Sequence, residues 1–491
     1  MIVTGGLTTI NGLALNNTSG FGLTLSNIGE NTIKANQIAG ISIASSGNTI
    51  NSNTISNSVG DGIAISGRAE NNLIGVSVGN NISGNAGYGI SQLNSNNNQI
   101  INNTINSNSL GGISITSSVG TLNNNIISGN FGPGISLNTT NGFDISDNVV
   151  ETNSSGGFYI SNSTGNLSGN SITGNMSFGI SLNLSDNNTL IENEISGNSG
   201  PGLLIYGNNN QINNNTIFNN GTSGSGAGVF VESGNNNSIL NNSVFDNSFL
   251  GTQLGLSAND SQAYPTLNTL YTWQDETALP DIKGGTSILG TLTSDPGENF
   301  KIQFFANAQS SANREGKRYL GEIEVSTDIS GEASFVANFK DVVLPEADGE
   351  VVSASATRLD NLGNPLSTSE FSSAISRETD EGLHYQVNTT LAGIPLHWEN
   401  GEGNYQIASS VVAHGYDNEV QNGFDTWSGL EQLTYTRKPN STEQWGGNPD
   451  GVNNVVWISD STQWVNEIEA PTNVIAVTRV RYNALNGQFV D

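Results

Sequence analysis

The sequence predicts a mainly β protein with three successive parts: a parallel β-helix, an antiparallel immunoglobulin-like β-sandwich and an incomplete α/β segment. Three observations support this prediction. A repeat of 22 or 23 residues organises residues 5–255. Short alternating apolar runs separated by turns follow it over residues 264–376. About 55 of the first 260 residues are asparagine, whereas all six tryptophans lie beyond them, so a domain boundary is expected near residue 260.

Two phrases of the repeat keep the same period. In the first, a glycine precedes alternating apolar residues, as in Gly-Ile-Ser-Ile at 112–115. From Gly89 to Gly202 these glycines are spaced by 23, 22, 23, 22 and 23 residues. The second phrase, apolar-x-x-Asn-x-apolar, gives the series Asn103, Asn125, Asn148, Asn170, Asn193 and Asn215. Two independent landmarks with one period indicate a solenoid.

Each phrase is a short strand with period-2 alternation, too short to fold alone. A coil of about 22 residues holds three such strands, and stacking about ten or eleven coils buries the apolar positions as internal columns. Asparagine tolerates left-handed backbone and bonds to neighbouring coils. We therefore expect a ladder, inside or at a turn, formed by Asn125, Asn148, Asn170, Asn193 and Asn215. The recurring glycine is expected to supply a backbone angle that other residues resist.

This pattern resembles the right-handed β-helix repeat proteins of the pectin-lyase-like superfamily, which includes NosD-type proteins. The resemblance covers about residues 5–255 and implies the fold more strongly than an activity. Many such proteins are polysaccharide lyases, hydrolases or epimerases. Their lyases commonly use Arg or Lys as the base, and Lys34 and Arg68 are the only basic residues of this half.

Glycoside hydrolysis requires two facing carboxylates. The acidic clusters of this half are Asp144, Asp147 and Glu151, and Asp186, Glu192 and Glu194, which would face each other across two coils. The Asp-Asp, Gly-His-Gly and Arg-Ile-Lys phrases of the polygalacturonases are absent. We therefore interpret these carboxylates as solvated turn residues on a structural rod, and we assign no catalytic, cofactor-binding or metal-binding residue.

The region 261–378 is predicted to be the β-sandwich, because short strands recur with a turn every 8–12 residues. The predicted strands are Thr286–Leu292, Phe300–Phe305, Tyr319–Val325, Ala333–Phe339, Val351–Leu359 and Glu370–Ile375. The order of these phrases resembles a bacterial extracellular domain that follows β-helices in secreted proteins and acts as a spacer. A calcium ion in its acidic turns remains an alternative to plain solvated carboxylates.

The segment 379–491 is predicted to hold a helix over Ile407–Leu430, a strand within Asp450–Trp457, a strand over Val474–Tyr482 and a hairpin turn at Asn486-Gly487. This order resembles the front half of a matrixin-like zinc metallopeptidase domain. The zinc-binding phrase His-Glu-x-x-His is absent, and the three histidines, His384, His397 and His414, are isolated. Zinc is therefore expected only in a complete parent domain.

The composition limits the kinds of partner that the chain is expected to bind. A net charge of −29 argues against a nucleic-acid partner, and no run of 18 apolar residues exists to span a membrane. Zero cysteine excludes disulfides and thiolate metal sites. No signal peptide is visible, and neither end has an obvious cap, so we interpret the chain as a fragment of a secreted, extracellular or cell-surface bacterial protein.

Three functions remain open. The rod is a scaffold or a module that binds a surface polysaccharide or a protein, with a zinc metallopeptidase as the parent and no catalysis by these 491 residues. The first alternative is a carbohydrate-active β-helix enzyme. The second is a non-catalytic surface adhesin. The predicted domains are 1–260, 261–378 and 379–491.

Overall fold

The structure, a computed structural model, describes residues 1–377 except 18, 225, 274–284, 309–313, 341, 343 and 345–348, together with five short strands between residues 402 and 490. The chain divides into two compact units, Met1–Thr379 and Asp380–Asp491. No helix in the part of the chain so described is long and apolar enough to cross a membrane.

The first 254 residues form three parallel sheets that wind around a common axis. Sheet I contains β1 (Ile2–Val3), β4 (Leu23–Leu25), β7 (Ile41–Ile43), β10 (Ile63–Ile65), β13 (Tyr88–Leu93), β16 (Gly111–Thr116), β19 (Ile135–Asn138), β22 (Phe158–Ser161), β25 (Ile180–Asn183), β28 (Leu203–Tyr206), β31 (Val229–Ser233) and β34 (Thr252–Leu254). Sheet II contains β2 (Thr9–Asn11), β5 (Thr32–Lys34), β8 (Thr49–Asn51), β11 (Leu73–Ile74), β14 (Asn98–Ile101), β17 (Gly120–Asn123), β20 (Asn141–Ser146), β23 (Thr164–Ser168), β26 (Thr189–Ile191), β29 (Gln211–Asn213) and β32 (Ser238–Leu240). Sheet III contains β3 (Ala14–Leu15), β6 (Gln37–Ile38), β9 (Thr54–Ser56), β12 (Asn81–Ser83), β15 (Thr104–Asn106), β18 (Ile126–Ser128), β21 (Val149–Glu151), β24 (Ser171–Thr173), β27 (Glu194–Ser196), β30 (Thr216–Phe218) and β33 (Ser243–Phe245).

Each coil contributes one strand to each sheet. Coils are numbered in chain order by their strand in sheet I, so that coil 1 contains β1 and coil 12 contains β34. Sheet I has 12 strands and the other two sheets have 11 each, so the rod has 11 complete coils, as the repeat predicts. A single turn of 3-10 helix, Ala258–Ser261, follows the last strand.

The interior of the rod is a continuous apolar core. In β10, Ile63 and Ile65 are buried while Ala64 lies between them on the outer surface. The same inward positions pair in register from coil to coil, for example Ile113 with Ile135 and then Phe158. Burying each such side chain stabilises the fold by about 1.5–3 kcal/mol. The stacked columns therefore supply the apolar stabilisation that a single coil lacks.

The predicted asparagine ladder is confirmed at the corner between sheets II and III. Asn125 donates from its backbone N–H and from its side-chain Nδ2 to Oδ1 of Asn148, each at 2.9 Å. The same Nδ2 also donates to the carbonyl of Ile100 in the preceding coil, at 2.8 Å. All polar atoms of the buried amide are thus satisfied, as buried polar groups require. The ladder is longer than predicted and comprises Asn36, Asn53, Asn80, Asn103, Asn125, Asn148, Asn170, Asn193, Asn215 and Asn242.

The sequence analysis missed two further ladders, one at each remaining corner. The corner between sheets III and I holds Asn85, Asn108, Asn130, Asn153, Asn175, Asn198, Asn220 and Asn247. The corner between sheets I and II holds two shorter runs, Asn31, Asn48, Asn72 and Asn98, and Asn188, Asn210, Asn237 and Asn259. Side-chain amides therefore connect successive coils at all three corners, and between the two runs of the third corner the hydroxyls of Ser163 and Ser185 accept in their place.

At the corner between sheets II and III, the ladder residue and the left-handed residue are different residues, whereas the sequence analysis assigned both roles to one asparagine. Asn124 has a φ of 53° and Asp147 a φ of 57°, and each directly precedes a ladder asparagine. The preceding residue turns the chain, which asparagine and aspartate tolerate better than most residues. The following asparagine keeps an ordinary φ and bonds to the next coil.

The explanation predicted for the recurring glycine is largely wrong. Gly40 has a φ of 83°, but φ is not left-handed at Gly157 or at its other counterparts. A Cβ at Gly157 would lie 2.5 Å from the carbonyl oxygen of Gly179 in the next coil, and closer still to Cγ2 of Ile172. These glycines are therefore required by close contact between successive coils, because no side chain fits there.

Two antiparallel sheets follow the rod. The strands are β35 (Thr266–Trp273), β36 (Gly285–Thr293), β37 (Asn299–Asn307), β38 (Arg318–Ser326), β39 (Glu332–Lys340), β40 (Val351–Leu359), β41 (Pro365–Thr368) and β42 (Ile375–Ser376). One sheet has the order β35-β36-β39, and the other has the order β38-β37-β40-β41 with β42 also on β40. They enclose an apolar core in which Phe304 packs edge-on against Phe335 and Phe339.

Five of the six predicted sandwich strands are confirmed, and the sixth is wrong. In place of Glu370–Ile375 the chain forms β41 and β42 with an irregular segment between them. In that segment the hydroxyl of Ser372 accepts from the N–H of Ala354, and the hydroxyl of Ser369 accepts from the N–H of Ala356, each at 3.0 Å. Side-chain hydroxyls replace the expected ladder of backbone carbonyls.

The five-stranded sheet closes the C-terminal end of the rod. The ladder at the corner of sheets III and I ends where the N–H of Asn247 donates to Oε1 of Glu315, at 2.8 Å. At the second corner Asn241 donates to Gln303, at 3.0 Å, and at the third Asn259 donates to the carbonyl of Thr368, at 2.8 Å. Phe305 and Phe371 join the apolar core of the rod. Every ladder corner therefore meets a residue of the sandwich.

The second unit is described only through its strands β43 (Glu402–Ile407), β44 (Thr434–Arg437), β45 (Asn453–Val455), β46 (Arg481–Tyr482) and β47 (Phe489–Val490). β43 pairs in parallel with β44 and β45, and β46 pairs antiparallel with β47. The predicted turn at Asn486-Gly487 lies outside the described residues. Ile407 ends a strand, so the predicted helix does not begin there. The rest of that helix lies outside the described residues.

Removing one rung should destabilise the rod far more than removing a surface amide. Replacing Asn148 with alanine removes the acceptor of the Asn125 backbone N–H and one of the acceptors of the Asn125 Nδ2. It also deletes the bonds that Nδ2 of Asn148 donates to Leu122 and Asn170. We expect a loss of roughly 3 kcal/mol, measured as a lower midpoint of urea unfolding. Asn166→Ala, at an exposed position of β23, is the control and should change stability by less than about 0.5 kcal/mol. Equal effects of the two substitutions would contradict the assigned role of the ladder.

A methyl group at a recurring glycine should also be costly. Gly157→Ala should lower the free energy of unfolding by about 1–3 kcal/mol, because the chain must move apart to admit the Cβ. Gly60→Ala is the matched control, since a Cβ there meets nothing within 4 Å. Thermal unfolding followed by circular dichroism measures both, and an unchanged melting temperature of Gly157→Ala would disprove the steric explanation.

Candidate binding face

The two basic residues of the rod do not form a site. Lys34 is exposed at the end of β5 in sheet II, on coil 2. Arg68 is exposed in the turn after β10, on coil 4, with a φ of 63°. The two side chains thus lie two coils apart and at different points around the rod. A lyase base would need a partner cation near the substrate carboxylate, and the positions of these residues do not provide that arrangement.

The acidic residues of the two predicted clusters are spread around the rod. Asp144 points outward from sheet II, Glu151 and Glu194 point outward from sheet III, and Asp186 lies at the corner between sheets I and II. Because these surfaces face different directions, the six carboxylates do not converge on a common cleft.

Two acids do share one corner. Asp147 and Glu192 both have left-handed backbone at the corner of sheets II and III, with Gly169 at the same position in the coil between them. Two coil rises separate them by roughly 10 Å along the rod. Oδ2 of Asp147 accepts from Nδ2 of Asn123 at 3.2 Å, which is a structural contact. Both side chains are exposed at the turn between the two strands of their coil.

The sequence analysis assigned no metal ligand, but it left open a calcium ion in the acidic turns of residues 261–378. Among the described residues, no three histidine, aspartate or glutamate side chains come together in a way that would hold a metal ion. His384, His397 and His414 lie outside the described residues. In the sandwich turns, the carboxylate of Asp328 accepts from the hydroxyl and the N–H of Ser330, at 2.6 and 2.8 Å. These hydrogen bonds hold the pKa of Asp328 below its ordinary value. The carboxylate of Asp328 therefore stabilises its own turn.

A polar cluster lies where the sandwich meets the rod. Glu322 accepts from Nζ of Lys301 at 2.6 Å, from Nε2 of Gln303 at 2.9 Å and from the hydroxyl of Tyr319 at 3.1 Å. Partial burial, together with the charge of Glu322, raises the pKa of Tyr319 to about 12. Burial alone would raise the pKa of Glu322, but the hydrogen bonds from Lys301 and Gln303 outweigh it and lower that pKa. These groups thus satisfy one another's hydrogen-bonding capacity. Nε2 of Gln303 also donates to Oδ1 of Asn241 in the rod.

Sheet I carries a surface of a different kind. Tyr159, Phe178, Tyr206 and Phe230 are partly exposed and lie on coils 8, 9, 10 and 11, one on each coil. We call these four residues the aromatic patch. Tyr159, Tyr206 and Phe230 point outward from the strands of sheet I, and Phe178 lies in the turn that leads into β25. The outward positions of sheet II carry no aromatic residue.

The patch is held by specific contacts. The rings of Tyr159 and Phe178 lie 6.2 Å apart between centroids, at an angle of 37°. Nδ2 of Asn183 donates to the hydroxyl of Tyr159 at 3.2 Å and to Oγ of Ser161 at 3.3 Å. The ring of Phe178 lies over Gly156, where a Cβ would be only 2.5 Å from it. The glycine therefore makes room for the ring beside the sheet.

The residues that pair with the rings include serine and asparagine, together with Leu204, and Ser181 among them is buried. Ser136 and Ser181 flank Tyr159 in register, and Asn183 is the neighbour of Tyr206. Leu204 lies between Ser181 and Phe230. The surface thus combines apolar rings with hydroxyl and amide groups that both donate and accept hydrogen bonds.

The patch was missed in the sequence although its signal was present. Tyr159 and Phe230 occupy the x position of the phrase Gly-apolar-x-apolar, where Ser42, Ser91 and Ser114 stand in other coils. Period-2 alternation places this position on the outer surface. Outward aromatic residues in the strands of coils 8, 10 and 11 are the signal for the patch, whereas Tyr88 is the one aromatic residue in the sheet I strands of the earlier coils.

Comparison with known proteins agrees with the observed fold. Residues 39–190 and 121–270 match the family model described as a right handed beta helix region, so the chain contains a right-handed parallel β-helix. No curated protein sequence matches the chain.

Solved structures are similar at low identity. The A-module of mannuronan C-5 epimerase AlgE6 from Azotobacter vinelandii is 18% identical over 52% of this chain and 82% of its own, with a TM-score of 0.42. A variant of the periplasmic alginate epimerase AlgG is 16% identical over 48% of this chain and 67% of its own, with a TM-score of 0.41. The Dettilon tailspike protein is 13% identical over 69% of this chain and 86% of its own, with a TM-score of 0.34.

The polar cluster should contribute to stability in a pH-dependent way. Because the pKa of Glu322 is lower in the folded state, its stabilising effect is present above the ordinary glutamate pKa and is lost as pH falls through the lowered value. The stability difference between the native chain and Glu322→Gln should therefore be small, below about 1 kcal/mol at pH 7, and should disappear in acid. Urea unfolding at several pH values measures it, and a difference that grows in acid would contradict this assignment.

Proposed function

We propose that the β-helix is a non-catalytic glycan-binding rod and that the aromatic patch of sheet I is its binding face. The observation that carries this proposal is one partly exposed aromatic residue on each of four successive coils, set among serine and asparagine side chains. Sugar rings present apolar C–H faces and a rim of hydroxyl groups. A surface of flat rings and amphoteric hydrogen-bonding groups matches both features.

The rigidity of the face supports the same proposal. Ordering a side chain on binding costs up to about 1.5 kcal/mol, and aromatic residues lose less because they have few rotatable bonds. Tyr159 is already held by Asn183, and Phe178 by Tyr159 and the space over Gly156. These side chains are thus already ordered in the folded rod, so binding loses less of their conformational entropy. This favours binding of a weakly interacting ligand.

A carbohydrate-active enzyme remains the alternative. It would need two carboxylates that face each other about 5–10 Å apart across a bound sugar. Asp147 and Glu192 have about that separation, but they lie along one corner of sheets II and III and away from the aromatic patch. The geometry therefore favours binding over turnover.

For the remainder of the chain we propose the domain division 1–260, 261–378 and 379–491, with the second domain an immunoglobulin-like spacer that also caps the rod. We further propose an extracellular or cell-surface location and a zinc metallopeptidase as the parent protein. The phrases that support the peptidase include Phe424 and Trp427, which lie outside the described residues. Reading the coding locus beyond the codon for Asp491 tests this, because the parent requires a His-Glu-x-x-His phrase downstream.

Truncating the patch should abolish glycan binding without unfolding the rod. The double variant Tyr159→Ala and Phe178→Ala should bind immobilised polysaccharide at least tenfold more weakly, as measured by affinity gel electrophoresis. The matched control is Phe218→Ala with Phe245→Ala, which removes two stacked rings, 5.1 Å apart, from sheet III. The control should bind like the native chain.

Two results would contradict the proposal. Equal loss of binding in both double variants would show that the effect is not specific to the patch. Release of reducing ends or of unsaturated sugars from a bound polysaccharide by the native chain would show catalysis, and the enzyme alternative would then replace the binding rod.

A further inference from the structure

We propose that the aromatic patch takes an uncharged glycan chain that runs parallel to the axis of the rod, and that it excludes polyuronates. This inference rests on the proposed function and names the class of ligand. Two features of the rod support it: the charges around the patch and the positions of the rings along the rod.

The cations of the rod are far from the patch. Residues 1–260 contain twelve acidic residues but only Lys34 and Arg68 as basic ones. Arg68 follows the sheet I strand of coil 4, and Tyr159 lies on coil 8, so roughly 19 Å of rod separates them. This distance exceeds the Debye length of about 8 Å at physiological salt, so Arg68 contributes little attraction at the patch.

The charges near the patch are negative. Asp186 lies in the turn after β25, where its Oδ1 accepts from the N–H and the Nδ2 of Asn208, at 2.6 and 3.1 Å. Glu232 lies in β31 at the register shift beside Tyr206. A uronate carboxylate placed over the patch would therefore meet like charge, which destabilises binding.

A cation of the sandwich is engaged elsewhere. The carbonyl of Arg314 accepts from the N–H of Gly251, at the start of coil 12. The guanidinium of Arg314 lies 3.4 Å from Oε2 of Glu370 and 4.8 Å from the centre of the Tyr264 ring. Its charge is balanced by the carboxylate and covered by the ring, so it does not reverse the sign of the surface beyond Phe230.

The order of the rings sets the direction of the ligand. Tyr159 and Phe230 lie in one outward column of sheet I, in register with Ser181 and Leu204, and are three coil rises, about 14 Å, apart along the rod. The ring of Tyr206 lies one outward position further along its strand, and Phe178 lies before the start of β25 on the other side of the column. Hydrogen-bonding groups flank this column, including the amide of Asn183, which donates to the hydroxyl of Tyr159, and the hydroxyl of Tyr206. A linear chain laid along the column contacts Tyr159 and Phe230, with Phe178 on one side and Tyr206 on the other, whereas a chain laid across the sheet reaches the rings of only one or two coils.

A panel of polysaccharides tests the ligand class. Binding of the full chain is measured by affinity gel electrophoresis with the neutral polymers xylan, galactomannan and hydroxyethyl cellulose, and with the acidic polymers polygalacturonate and alginate. We expect at least one neutral polymer to bind, with affinity unchanged within twofold between low and high salt. The acidic polymers should not bind. Binding of an acidic polymer alone would overturn this inference while leaving glycan binding intact, and binding of none would overturn both proposals.

A charge-gain variant tests the explanation. Ser136→Lys with Leu204→Lys places two cations beside the patch, at outward positions that flank Tyr159 and Phe230. This variant should gain at least tenfold in affinity for polygalacturonate at low salt. Thr121→Lys with Thr189→Lys adds the same charge on sheet II and is the control. An equal gain in the control would mean that overall charge excludes uronates, and the assignment to the patch would be wrong.

Discussion

The amide-to-amide hydrogen bond between successive coils is the interaction on which the rest of the structure depends. Each ladder asparagine donates twice to the next coil and accepts twice from the preceding one, as Asn125 and Asn148 do. A buried amide left without these partners would cost about 1–3 kcal/mol for each lost bond, so every coil must place its asparagine in register with its neighbours. Three corners fixed in this way hold the three sheets in register. The outward side chains therefore form straight columns, and residues that are 22 or 23 positions apart in sequence become neighbours on one surface.

The same interaction explains both the recurring glycine and the manner in which the rod ends. Coils held one strand spacing apart leave no volume for a side chain beside sheet I, so Gly157 and its counterparts have no Cβ. Because every rung donates toward the C-terminal end, the last coil would expose unsatisfied N–H groups. In the sandwich, Glu315 and Thr368 accept from the last ladder residues Asn247 and Asn259, and Gln303 accepts from Asn241, which precedes the last ladder residue of its corner. The β-sandwich and the rod are thus joined by the chemistry that joins one coil to the next.

The fold of the rod could be predicted because the residues that point inward, and those that bond between coils, recur in the sequence with the period of one coil. One ladder was found because its asparagines stand within an apolar phrase, whereas the ladder of Asn153, Asn175 and Asn198 lies in a glycine-rich turn without such a landmark. The strand expected at Glu370–Ile375 failed because Ser369 and Ser372 accept the backbone hydrogen bonds there through their hydroxyls, which no alternation pattern reveals. The acidic clusters were considered as paired carboxylates because their residues lie close together in the sequence. Their dispersal around the rod follows from the coil geometry, which separates residues only a few positions apart.

The ladders also make the rod an electrically polar object. In each rung the amide oxygen faces the preceding coil and the amide nitrogen faces the following one, so the side-chain dipoles of a column point the same way. Eight such amides stand in the column that begins at Asn85 and ends at Asn247. Their positive ends point toward the C-terminal end, where the buried carboxylate of Glu315 receives the last N–H. An anion at that end is stabilised by the aligned dipoles much as one is at the N-terminus of an α-helix, which gives a chemical reason for glutamate at this junction.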